Sequence, residues 1–202
     1  LKRCQGLAQS MSYWTFTDIF EEPGPGTDPF HGGFGMMNIQ GLKKPAFHAY
    51  RFLCELPENE LQTGDADSYA ATDENAVHVL LWNYTHPDQD ADNQAYFIRD
   101  LPAKALDDVK VELEGLSSGD YTVETCRVGH MANDVYTQYL RMGLRELMGK
   151  DTPTREQIDA LRALTDGKPE STSTLHLGGD GKAELIVSMR ENDVVRIILR
   201  KR

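Results

Sequence analysis

A chain of 202 residues, 40% hydrophobic and 26% charged, has ordinary soluble-protein composition and enough length to bury a sizeable core. Its formal net charge of −11 argues against nucleic acid as a partner, because phosphate backbones are bound by clusters of Lys and Arg. No run of about 18 apolar residues is present, so no membrane helix is expected, and the localisation of the protein stays open.

Residues 1–10 read as the tail of a helix. Residues 12–20, rich in aromatic and β-branched side chains, read as a strand suited to burial on both faces. Pro23, Gly24, Pro25 and Gly26 then force a loop. Pro45 opens a helix at its first turn, where a missing N–H costs nothing. Ala46, Ala49, Tyr50 and Leu53 fall on one face of it, and Pro57 stops it. Residues 57–74, with Gly64 and several acids, read as a linker or crossover. Short strands are expected at residues 77–84, 95–98, 109–113, 121–128, 175–177, 183–189 and 194–199. Turn signals such as Ser118-Gly119-Asp120 and Gly179-Asp180-Gly181 punctuate them, the pattern of an antiparallel sandwich. A helical interruption lies between these strands. Residues 132–148 are rich in helix formers, and Thr152-Pro153-Thr154 starts a second helix with Ile158, Leu161 and Leu164 as its apolar stripe.

Two neighbouring segments carry the residues of chemical interest. The first holds Trp14, Asp18, Glu21 and Glu22; the second is Phe30-His31-Gly32-Gly33-Phe34-Gly35. An indole face covers the apolar C–H face of a pyranose, and carboxylates accept hydrogen bonds from its hydroxyls, so the combination suits a sugar. The same pattern also fits a core strand followed by a solvated acidic turn, and spacing alone does not separate the two. Glu21 and Glu22 are poorly placed as a catalytic pair. Retaining glycosidases hold two carboxyl groups about 5–5.5 Å apart across one bond, whereas adjacent residues of an extended chain point to opposite faces.

Other candidates read as structural. Asp88, Asp90 and Asp92 alternate as at the start of a calcium loop, but lack its glycine and terminal glutamate, and read as an acidic solvated loop. His78, His86, His130 and His176 show no paired metal spacing, and Asn83 reads as a hydrogen-bonding core residue of a strand. No metal and no cofactor is expected. Trp82 and Tyr84 share a strand face and, with Tyr96 and Phe97, form either a sugar-binding row or sandwich core, with core favoured. Cys4, Cys54 and Cys126 are too few and too widely spaced for a disulfide framework or a metal knuckle. They read as small buried residues, with a Cys4–Cys54 pair left open.

The segments SYWTFTDIFEE, FHGGFGMMN and GLKKPAFHAYRFL resemble the last strand and helix of the barrel in glycoside hydrolase family 39, which includes β-xylosidases and α-L-iduronidases. VLLWNY, LSSGDYTVETCRVGHMANDVYTQYLRMG and TPTREQIDALRAL resemble, in the same order, the β-sandwich and helical piece that follow the barrel. The resemblance implies a mixed, mainly β fold: an antiparallel β-sandwich with a small helical insertion, preceded by the last strand and helix of a (β/α)8 barrel. Residues 1–56 would end the barrel, residues 57–74 would link, and residues 75–202 would form the accessory sandwich with its insertion at about 132–165. A barrel needs roughly 250 residues. The chain is therefore expected to be the C-terminal part of a larger retaining enzyme, a β-xylosidase acting on xylo-oligosaccharides, an expectation to which its start at Leu1 without an initiator methionine contributes.

In that family the acid/base and nucleophile precede the segment resembling residues 11–56. No catalytic residue is assigned here, and the chain alone is expected to be inactive. The resemblance gives Trp14 the role of a platform below the −1 sugar, Glu21 and Glu22 that of hydroxyl acceptors, Asp18 the orientation of a neighbour, and His31 a place at the site rim. The implied partners are a xylose-type saccharide and the remaining barrel segment. Tyr13, Phe16, Ile19, Phe34 and Phe47 would otherwise lack cover, and self-association into a homo-oligomer is a further expectation. The competing readings are a noncatalytic carbohydrate-binding or scaffold module and a complete enzyme of unrelated mechanism using Glu21 and Asp18.

Overall fold

The structure, a computed structural model, describes residues 1–19, 28–86, 100–147 and 149–202. Its described residues form mainly antiparallel β-sheet with three short helices. In chain order the elements are α1 (Pro45–Cys54), β1 (Asn59–Leu61), β2 (Ser68–Thr72), β3 (Ala76–Trp82), β4 (Val109–Leu113), β5 (Gly119–Val128), α2 (Val135–Arg141), α3 (Arg155–Leu164), β6 (Ser171–Leu177), β7 (Ala183–Val187) and β8 (Val194–Lys201). No helix among the described residues is long and apolar enough to cross a membrane.

The chain divides into two compact units. One comprises Phe52–Thr85, Ala103–Gly129 and Lys168–Arg202. Its larger sheet has the order β1-β2-β3-β8-β5-β6, and β4 pairs with β7 in a separate two-stranded sheet. Every pairing among these described strands is antiparallel. The centre of the large sheet is β8, whose Ile197 pairs with Val79 of β3 on one side and Thr125 of β5 on the other. Alternation sends Val79, Leu81, Val123, Val195, Ile197 and Leu199 into one core, where Val111 of β4 and Ala183 and Val187 of β7 join them. Fully burying each Val, Leu or Ile contributes roughly 1.5–3 kcal/mol. Leu80, Cys126 and Val128 face the other way and cluster with Phe52. Burial on both faces explains the almost unbroken apolar runs of β3 and β8. Arg196 lies on that second face, its guanidinium 4.5 Å over the Phe52 ring and paired with Glu55.

Residues 57–74, read as a linker or crossover, carry β1 and β2. The Ser-Tyr-Ala-Ala-Thr stretch of β2 is short and weakly apolar, and its ladder to β3 rather than local propensity makes it a strand. The strand expected over 175–177 begins at Ser171, because β5 supplies seven cross-strand partners to an otherwise polar segment. The strand expected at residues 95–98, and Asp88, Asp90, Asp92, Tyr96 and Phe97, lie outside the described residues.

The other unit comprises Leu1–Arg51, His86–Pro102 and His130–Gly167. The single helix expected over 132–148 is α2 followed by a 3-10 turn at Leu144–Leu147; Gly143, with φ +69°, ends the α-helical run between them. The second expected helix is α3, opened by a capping box in which the Thr154 hydroxyl accepts from the Gln157 N–H and the Gln157 side chain accepts from the Thr154 N–H. Val135, Tyr139, Leu144, Ile158 and Leu161 form a core that takes in Phe30 and Leu42. Phe30 meets Tyr139 edge-on at 5.0 Å and Tyr136 at 5.6 Å.

Three expectations for this unit are corrected. Residues 1–10 form only a 3-10 turn at Lys2–Cys4. Residues 12–19 form no regular strand: bends at Trp14 and Phe16 and a turn at Asp18–Ile19 flank one isolated bridge from Thr17 to Met37, and the segment is not buried on both faces, since Phe16 and Ile19 are each 60% exposed. In α1 the fully buried residues are His48 and Phe52, one turn apart, while Ala46, Ala49, Tyr50 and Leu53 are half-buried. A polar histidine hid that face from a count of apolar positions. Of the cysteines only Cys126 is buried; Cys4 is half-buried, Cys54 is exposed, and all three are free thiols.

Candidate functional site

The segment Tyr13–Ile19 is anchored on α1 by two aromatic side chains. Tyr13 lies 5.4 Å from Tyr50 and Phe16 lies 6.5 Å from Phe47, ring to ring, so two of its aromatics lean on α1. Trp14 stands 67% exposed, and the Trp14–Thr15 peptide is cis. Its backbone neighbours are tied to the glycine-rich segment: the Thr15 N–H donates to the Phe34 carbonyl at 3.4 Å, and the Met36 N–H donates to the Thr15 carbonyl at 3.0 Å. Phe34 is 65% exposed.

Asp18 is fully buried. Its Oδ1 accepts from the Gly35 N–H at 2.7 Å and from Lys44 Nζ at 2.8 Å, and Oδ2 lies 2.7 Å from the same Nζ. Lys44 also donates to the Gly33 carbonyl at 2.9 Å, while its backbone N–H donates to the Met36 carbonyl at 2.8 Å. The ammonium donates to Asp18 Oδ1 and to the Gly33 carbonyl, and its charge neutralises the buried carboxylate. Gly35 is required for this approach: a Cβ there would lie 2.3 Å from Asp18 N and 2.5 Å from Asp18 Oδ1.

A second buried polar residue closes the turn behind. Asn38 Oδ1 accepts from the Gln40 and Leu42 N–H groups, and its Nδ2 donates to the Pro29 carbonyl at 3.2 Å and to Gln40 Oε1 at 2.7 Å. Farther back, the Gly149 N–H donates to Asp28 Oδ1 at 3.0 Å and Arg162 donates to the Gln40 carbonyl at 2.8 Å. Residues 28–42 are thus held by Asp18 and Lys44 on one side and by the helical region on the other.

Of the residues singled out from sequence, the structure brings Asp18 against the glycine segment and sets Trp14 on the segment bonded to it. His31 is half-buried within that segment. Glu21 and Glu22 lie outside the described residues. Lys44 and Asn38 were not singled out; a lysine 26 positions from its carboxylate partner leaves no signal in local spacing. The alternative sugar-binding row divides: Tyr84 is 72% exposed, but Trp82 is half-buried against the Phe52 cluster with its ring 5.4 Å from Tyr69.

Chemically, the arrangement is a largely exposed indole beside a locked turn. The chain matches the family Glycosyl hydrolases family 39 over residues 1–182. It is 31% identical to a β-xylosidase of Caldicellulosiruptor saccharolyticus over 169 residues, 80% of this chain and 30% of that protein. Among solved structures, the family 39 enzyme of Xanthomonas axonopodis pv. citri superposes with a TM-score of 0.91 at 37% identity, covering 100% of this chain and 39% of that one. A monomeric β-xylosidase of Caulobacter crescentus CB15 superposes with a TM-score of 0.89 at 40% identity, covering 99% and 39%. The chain therefore spans well under half the length of these relatives. The match along the sequence and the superposition over the whole chain agree: it belongs to glycoside hydrolase family 39.

Proposed function

We propose that this chain is the C-terminal part of a retaining β-xylosidase that releases xylose units from xylo-oligosaccharides. Residues 1–56 would end the catalytic (β/α)8 barrel, residues 57–74 would cross to the accessory domain, and residues 75–202 would form a β-sandwich with the helical insertion at about 132–165. The acid/base and nucleophile would come from segments outside these 202 residues, so the chain by itself would be inactive. In this reading Trp14 is the apolar plate beneath the sugar, Glu21 and Glu22 accept hydrogen bonds from its hydroxyls, His31 lines the rim, and Asp18 acts through the turn it holds. The remaining barrel would cover Phe16 and Ile19.

The observation that carries this reading is Trp14, a large aromatic left two-thirds exposed on a segment whose adjoining turn is fixed by an ion pair on the fully buried Asp18. An incidental surface residue would not sit on so constrained a backbone. The test is turnover of 4-nitrophenyl β-D-xylopyranoside by the full-length gene product and by this chain alone. The full-length protein is expected to turn over and the chain to be inert. Turnover by the chain, or none by a full-length protein of barrel-containing size, would overturn the proposal.

A further inference from the structure

We propose that Lys44 is a positioning residue of the sugar site, and that it sets the Gly33–Met36 turn so that Phe34 forms a second apolar wall beside the Trp14 segment. The inference rests on the β-xylosidase reading and adds two residues to it.

The geometry is specific. Lys44 holds the turn at both ends: Nζ takes the Gly33 carbonyl at 2.9 Å, and its backbone N–H takes the Met36 carbonyl at 2.8 Å. Between them Gly35 is fixed by Asp18, whose carboxylate Lys44 itself orients through both oxygens. Three of the four residues of the turn are thus held by one lysine or by the carboxylate it pairs. The remaining one, Phe34, has its carbonyl bonded to Thr15, the residue after Trp14, and keeps its side chain 65% exposed. A phenyl ring on a turn held this tightly loses little freedom when a ligand arrives, so its apolar contact is realised at small entropic cost. Two aromatic faces on bonded neighbouring segments suit a pyranose, whose C–H groups project from more than one side of the ring. The Lys44 side chain is only 17% exposed and its ammonium is bonded to Asp18 and to the Gly33 carbonyl, so Lys44 acts through the turn and not on the sugar.

The test is steady-state kinetics of the full-length enzyme on xylobiose and 4-nitrophenyl β-D-xylopyranoside, with Trp14→Ala, Phe34→Ala, Lys44→Met and the Phe34→Ala/Lys44→Met double variant. Phe34→Ala and Lys44→Met are each expected to raise KM for xylobiose about fivefold or more. The double variant is expected to be little worse than either single one, because both act through the same ring. A lysine of merely structural importance would lower activity independently of Phe34, and multiplicative effects in the double variant would overturn the proposal. If Lys44→Met does not fold, Phe34→Ala decides: an unchanged KM beside a raised one for Trp14→Ala overturns the second wall while leaving the β-xylosidase reading intact. An unchanged KM for Trp14→Ala would remove that reading of the site and this inference with it.

Discussion

Asp193 receives guanidinium groups from two arginines: Arg127 Nη1 at 2.6 Å, and Arg190 through Nε and Nη2 at 3.0 Å each. Its side chain has no solvent exposure, and the Arg190 N–H adds a fourth bond at 3.1 Å. The other edge of Arg127 takes Glu170, which is 38% exposed. The asymmetry sets the prediction. Asp193→Ala leaves Arg127 nearly buried without its inner partner and should cost about 3 kcal/mol or more, read by urea unfolding. Glu170→Gln, at the wet edge, should cost under about 1 kcal/mol. Equal effects would show that the network does not distinguish its inner from its outer carboxylate.

Gly35 offers a second test, because its neighbours cannot give way. A Cβ there meets Asp18 N at 2.3 Å and Thr17 C at 2.4 Å, both backbone atoms. Gly35→Ala should push the two segments apart, break the bond from its N–H to Asp18, and lower the thermal midpoint by several degrees. Gly64→Ala is the control: Gly64 is exposed with nothing within 4 Å of its missing Cβ, so its midpoint should hold. A Gly35→Ala protein as stable as that control would mean the turn can adopt another conformation.

These sites show which parts of the molecule are legible in sequence. The strand at Val109–Leu113 and the capped helix after Thr154 are set by local alternation and cap chemistry, and both stand where the sequence puts them. The β2 strand and the first residues of β6 are not, because Ser, Thr and Ala enter a sheet only when a neighbouring strand offers a ladder. At the site, Trp14 and Asp18 stand out by residue type and by resemblance. Lys44 and Asn38 do not, since their roles depend on contacts across turns that spacing does not encode. His48 is hidden for the opposite reason: a polar residue occupies the most buried position of an amphipathic helix.

Trp14 and Trp82 should separate stability from binding. Trp14 is mostly solvent-facing, so Trp14→Ala should change unfolding free energy by no more than about 0.5 kcal/mol. Trp82 packs on Tyr69 within the Phe52 cluster, and Trp82→Ala should cost about 2 kcal/mol or more. On the proposed β-xylosidase reading, xylobiose binding by the full-length protein should show the reverse order, lost with Trp14→Ala and kept in the folded fraction of Trp82→Ala. Loss confined to Trp82→Ala would favour the carbohydrate-binding-module reading instead.

His48 makes the stability of the chain depend on pH with a definite sign. Burial, reinforced by the positive charges of Arg51 and Lys43, holds its imidazole down to about 4, against the smaller opposing pull of the Thr165 backbone and Asp166. In the unfolded chain the same group titrates near its ordinary value of about 6.5. Above that value both states are neutral and His48 costs nothing. As pH falls from about 6.5 towards 4 the unfolded state takes up a proton that the folded state refuses, and stability drops by up to about 3 kcal/mol. Carboxylates titrate at the lower end of this window, so the measurement is a difference: urea unfolding of the wild-type chain and of His48→Leu at intervals from pH 8 to 4. The gap between the two curves should be constant above pH 7 and shift steadily in favour of His48→Leu below it. Parallel curves over the whole range would show that His48 is hydrated or hydrogen-bonded enough to carry its proton inside the fold.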